Sequence, residues 1–148
     1  MPLPLFLIPI LVGLAAQGLK PLFNAQWYAE LKEAGRKIPR YGGMPSAHTA
    51  FSFSLATVVA LVDGLSSTSF AVAASLVVFI LDDALRMRFF LSRHGEALHK
   101  LISRLPLEQQ GAYPYLEARM GHTLSEVTVG AALGVGLTLV IMFFLRVS

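Results

Sequence analysis

The sequence predicts an all-α integral membrane bundle of about four transmembrane helices with a cytoplasmic amphipathic helical loop. Three observations predict it. Hydrophobic residues make up 55% of the 148 positions and charged residues only 14%, against roughly 25% charged in ordinary soluble domains. Pro2 to Leu19 and Val127 to Leu145 carry no charge, and Asp63 is the sole formal charge between Tyr41 and Leu81. Finally, Lys and Arg concentrate in two loops beside these apolar runs: five lie between Lys20 and Arg40 and six between Arg86 and Arg119. Runs of 18 or 19 residues at 1.5 Å per residue come close to the ~30 Å hydrocarbon thickness. A soluble fold is disfavoured because so short a chain lacks the polar surface to cover four such segments.

The length fits a single domain, residues 1–148, with no internal repeat. The first span, residues 3–19, has no basic residue ahead of it, which argues against a cleaved signal peptide. The second, 45–62, follows a glycine pair and places Pro45 near its first turn. The third, 65–82, follows a turn at Val62 to Ser69 that holds no basic residue. After it, "ALRMRFFLSRHGEALHKLISRL" sets apolar residues among Arg, His and Lys. This predicts a helix packed on the bundle or lying in the membrane interface, with Gly95 a candidate interruption. "PLEQQGAYPY" reads as an irregular connector. In the fourth span, 124–145, Gly130 and Gly134, and Ala132 and Gly136, repeat at four-residue spacing and permit close helix approach, within one bundle or in a homo-oligomer.

Basic loops favour the cytoplasm, so the chain reads as a multi-pass cell-membrane protein with both termini outside. The pI near 9.5 is explained by the membrane surface rather than nucleic acid. Absent cysteine excludes disulfides and thiolate chemistry. No tight ligand spacing joins His48, His122, Asp83 and Glu126, so neither a metal nor a cofactor is expected.

Every span brings polar residues to the same membrane face. Lys20 closes the first; "YGGMPSAHTA" opens the second; Asp82, Asp83, Arg86 and Arg88 close the third; "MGHTLSEVTVG" opens the fourth. A tight glycine loop feeding a helix start favours an anion, with Ser46 a hydroxyl donor and His48 a proton carrier. Thr123 and Glu126 have capping-box spacing, and Glu126 also stands four residues from His122, where its carboxylate could fix the imidazole tautomer. Both readings are open at this point. Asp82 and Asp83 face the bundle rather than lipid, pairing with Arg86, Arg88 or Lys20, or those cations hold a phosphate.

"GGMPSAHTA", "DDALRMR" and "GHTLSEVTVG" together resemble the small, divergent membrane branch of the type 2 phosphatidic-acid phosphatase superfamily, which includes the vanadium haloperoxidases. The resemblance covers nearly the whole chain. It implies that Pro45-Ser46-Ala47-His48, with Ala47 in place of glycine, supplies phosphate donors and a general acid, His48. It implies His122 as the nucleophile on phosphorus and Glu126, where Asp is usual, as its orienter. Lys20, Gly43, Ser46, Ala47 and the arginines Arg86, Arg88 and Arg119 are then the phosphate-binding set, supported by Asp82 and Asp83. Two superfamily features are missing. The lysine motif has Trp27 where Arg-Pro should begin, and the arginine six residues before the nucleophile is Leu116.

The expected function is a lipid or isoprenoid phosphatase with a phosphohistidine intermediate. Its expected partners are a membrane lipid or lipid phosphate, with phosphate or vanadate as small anion ligand. The alternative is a phospholipid or phosphate binder, or a lipid-transport protein, derived from that enzyme.

Overall fold

The computed structural model describes residues 4–25, 43–113 and 123–145. Among the described residues, six α-helices run in the order α1 (Leu7–Phe23), α2 (Ala47–Val62), α3 (Thr68–Asp82), α4 (Arg88–Ile102), α5 (Leu107–Gln110) and α6 (Leu124–Leu145), with a π-helical turn, Asp83–Met87, between α3 and α4. No strand occurs among the described residues, and the protein is an all-α bundle.

Helix α2 is the centre of the arrangement, packing on α1, α3 and α6, while α1 also touches α6. The core joins Ile8, Val12 and Ala16 of α1 to Ala50 and Val58 of α2 and Met142 of α6. Small residues bring α6 against α2. A Cβ placed on Gly130 would stand 2.6 Å from the Ser46 carbonyl oxygen, and one on Gly134 would meet the Ala50 carbonyl oxygen and its Cα. Gly136 has open space in the same position, and Ala132 is exposed. Of the two small-residue rows, the one through Gly130 and Gly134 packs within the bundle.

Polarity is distributed as lipid demands. Ser46, Thr49, Ser52, Ser54 and Thr138 are fully buried, whereas Phe79, Phe143 and Phe144 are each more than 70% exposed. In hydrocarbon, hydroxyls gain from facing one another and phenyl rings lose nothing outside. Thr138 donates to the Gly134 carbonyl oxygen at 2.7 Å, so the 2.6 Å bond between Thr138 and Ser54 has Ser54 as its donor. Helix α6 and the continuous helical run Thr68–Ile102 are long and apolar enough to cross a membrane; α1 and α2 are apolar but shorter.

The element boundaries depart from the sequence expectation in five places. Helix α1 starts at Leu7 and continues to Phe23, because Pro4 offers its carbonyl to the Leu7 N–H and Pro21 sits in the last turn. Pro45 precedes the helix through a cis Met44–Pro45 bond, and Ser46 is the N-cap. Gly95 lies inside an unbroken α4. The connector contains the short helix α5. Helix α3 begins after Gly64, whose φ of +85° makes the turn, with Ser67 capping the Phe70 N–H at 3.0 Å.

Candidate functional site

The antiparallel course of the helices carries the end of α1, the start of α2, the end of α3 and the start of α6 to one end of the bundle. Three of these are tied together by hydrogen bonds. Asn24, at the C-terminus of α1, donates from Nδ2 to the Lys20 carbonyl oxygen at 2.7 Å and to the Met44 carbonyl oxygen at 2.6 Å. Its Oδ1 accepts from the Met44 N–H at 3.3 Å. A single amide thereby ends α1 and fixes the loop that leads into α2. Gly43 stands beside it at φ +81°, where an added Cβ would lie 3.3 Å from the Asn24 amide. The glycine is required by both its left-handed conformation and this close approach.

The start of α2 is in turn tied to α6: the Ser46 N–H donates to the Glu126 carbonyl oxygen at 3.0 Å. Ser46 Oγ accepts from the Thr49 hydroxyl at 2.9 Å and, at the long limit of 3.5 Å, from the Thr49 N–H. The side chain is wholly buried, and its own O–H retains the capacity to donate. Ala47 follows it in the first turn, half-buried, and His48 is exposed.

At the start of α6 the capping box is formed. Thr123 N–H donates to Glu126 Oε2 at 3.0 Å, and Glu126 N–H donates to Thr123 Oγ1 at 3.3 Å. The cap uses one carboxylate oxygen of a residue only 5% exposed. Lys20, also 5% exposed, lies one turn before the end of α1. A lysine held so deep in an apolar bundle is costly and needs anionic or dipolar surroundings.

The remaining expected residues are placed as follows. Asp82 closes α3 and holds Arg86 through two contacts, 2.9 Å to Nε and 3.1 Å to Nη2. This is an exposed i, i+4 pair. Asp83 opens the π turn, half-buried. His122, Arg119 and the side chain of Arg88 lie outside the described residues. The hydrogen bonds therefore join the Lys20 carbonyl to Met44 through Asn24 and join Ser46 to Glu126, with Gly43 against the Asn24 amide and His48 on the first turn of α2.

Asn24 escaped the sequence reading. Its signal was present, since Asn just past an apolar helix is a common C-terminal cap, but nothing in the sequence couples it to Met44, twenty positions away. A second unread feature is an apolar groove of about 430 Å³ between α2 and α3, lined among others by Phe53, Ala56, Ala60, Phe70 and Val77. Thr57 lines it too, with its hydroxyl donating to the Phe53 carbonyl oxygen at 2.7 Å, so its proton is used within α2. Measured along α2, the groove begins seven residues beyond Ser46, about 10 Å.

The sequence model of the Divergent PAP2 family matches residues 3–137. An uncharacterized membrane protein of Bacillus subtilis (strain 168), YuiD, is 34% identical over 114 residues, which is 70% of this chain and 72% of that protein. No solved structure matches the chain.

Proposed function

Because the chain belongs to the divergent PAP2 family and is a PAP2-related membrane protein, we propose that it is a multi-pass phosphatase of a phosphorylated lipid or isoprenoid, working at the cytoplasmic leaflet. One observation carries the reading: the starts of α2 and α6 meet through the bond from Ser46 to Glu126, at the bundle end where Lys20 is buried. Two helix N-termini and a buried ammonium are the ingredients of an anion site in a low-dielectric setting. The apolar groove along α2 supports an amphiphile as substrate, with its head at the helix starts and its chain against Phe53 and Ala60.

In this reaction a nitrogen of His122 attacks phosphorus as the ester P–O bond breaks, and His48 gives its proton to the leaving oxygen. Water then hydrolyses the phosphohistidine. Lys20 and the Ser46 hydroxyl hold the equatorial oxygens, and Arg86, Arg88 and Arg119 are the candidates for the remaining cationic contacts. Glu126 orients His122 through its carboxylate. A second reading, an anion-binding protein without turnover, is favoured by Leu116 and Trp27, where the superfamily places cationic clamps.

The test is vanadate and phosphate binding to the purified protein alongside phosphate release from a panel of lipid phosphates. Turnover that vanishes in His122→Ala, with vanadate still bound by the wild type, supports the phosphatase. Binding with no turnover on any lipid selects the second reading, and absence of both overturns the anion site.

A further inference from the structure

Helix α4 has an unusual position. It continues α3 through the π turn, and among the described residues that turn is its one extended packing partner. At 100° per residue, Phe90, Leu91, Ala97, Leu98, Leu101 and Ile102 fall within an arc of about 140°, which also holds His94. The opposite arc holds Ser92, Glu96, His99 and Ser103. Arg93, Lys100 and, just past the helix end, Arg104 form a row along one border between the two. Four of the apolar side chains, Phe90, Leu91, Leu98 and Leu101, are between 49% and 60% exposed. Arg93 also lies 5.8 Å above the Phe89 ring, which keeps that aromatic on the basic border rather than isolated in water.

We propose that the apolar face of α4 lies in the surface of the membrane leaflet at the site's end of the bundle, with the Arg93, Lys100 and Arg104 row on anionic lipid headgroups. Charge complementarity selects the occupant. The helix and the turn after it carry three cations on that border, Arg93, Lys100 and Arg104, against the single carboxylate Glu96 on the opposite arc. A basic row beside a Phe- and Leu-rich face is the pattern of a helix adsorbed on anionic bilayer. Covalent continuity adds to this: α3 delivers α4 to the membrane boundary, so adsorption requires only a bend at the π turn, where the regular hydrogen-bond ladder is already interrupted. Packing of the same face on α1, α2 or α6 would have buried it, and it is exposed.

The chain has no cysteine, so single cysteines can be placed without background. The full-length protein is reconstituted into vesicles of phosphatidylcholine alone and of phosphatidylcholine with an equal part of phosphatidylglycerol. Nitroxide labels are carried on Leu98→Cys, Leu101→Cys, Glu96→Cys and Ser103→Cys, and collision with oxygen and with a water-soluble nickel complex is measured. Labels at 98 and 101 are expected to meet oxygen and to be shielded from nickel, with the reverse at 96 and 103. The contrast should be larger in the anionic vesicles and should be lost when Arg93, Lys100 and Arg104 are all changed to Glu, since each basic residue near an anionic surface contributes roughly fivefold to adsorption. Three outcomes overturn the proposal: labels at 98 and 101 open to nickel, the same labels shielded from both colliders as under a protein cover, or identical behaviour in the two vesicles.

Discussion

Replacing Gly130 with alanine tests the joint on which the candidate site depends. The new Cβ would stand 2.6 Å from the Ser46 carbonyl oxygen and 3.2 Å from both the Ser46 nitrogen and its Cβ. These neighbours are backbone or a first side-chain atom, so no flexible end can swing away. Restoring an ordinary carbon–oxygen contact needs a displacement of about 0.6 Å, and overpacking of this kind costs about 1–3 kcal/mol. The same movement stretches the Ser46 N–H bond to the Glu126 oxygen from 3.0 Å to about 3.6 Å, beyond hydrogen-bonding distance, for about 1 kcal/mol more. Against this, alanine gains about 1 kcal/mol of helix propensity over glycine. The net expectation is a loss of about 1–3 kcal/mol. Gly136→Ala, in the same helix with nothing within 4 Å, should be neutral or slightly stabilising. Unfolding of both variants by a denaturing detergent, followed by circular dichroism, gives the difference directly, and vanadate binding reports the site. Equal stability of the two variants, with unchanged vanadate affinity in Gly130→Ala, would refute the reasoning.

Asn24→Ala removes three hydrogen bonds and should cost about 2–3 kcal/mol of stability in the same unfolding assay; Asn24→Asp, which sets a carboxylate oxygen against the Lys20 and Met44 carbonyl oxygens, should lose at least as much. Lys20→Met keeps the volume of the buried side chain and removes its charge, so vanadate affinity by calorimetry should fall about tenfold or more; an unchanged affinity would take Lys20 out of the anion site. Ala60→Phe fills the groove between α2 and α3, and phosphate release from a long-chain substrate should fall at least about tenfold while a short-chain, water-soluble analogue is processed as before. Equal effects on both analogues would separate the groove from substrate binding.

The class of fold was legible because lipid imposes it: charge-free runs beside basic loops can satisfy their backbone only as helices. The exact course was less legible where charged residues continue a helix. Asp82 and Arg86 mark an end in composition, yet their i, i+4 pairing is compatible with helix and the backbone runs through them to Ile102. Lys20 likewise marks an end by charge but sits a turn inside, because Asn24 ends the helix instead. In the site, spacing disclosed the Thr123–Glu126 box, whose partners are three residues apart. Spacing could not disclose that Ser54 meets Thr138, 84 positions away, or that the Gly130 row rather than the Gly136 row faces α2. Such facts arise only when helices dock.

The five residues Asp83–Met87 set the phase of everything beyond them. A π turn holds about one residue more than a regular turn, which moves each later side chain by about 100° around the axis. Ala73, Val77 and Ala84 form the buried row of α3 and its continuation. With the π turn this row is prolonged by Ser92, Glu96 and His99; with a regular turn, by Leu91, Gly95 and Leu98. The single supernumerary residue thus acts as a rotational offset between two amphipathic patterns written in one helix. A regular α turn over the same five residues would turn the leucines toward the bundle and the basic row away from it, whereas removing one residue would close the π turn and leave the present face in place.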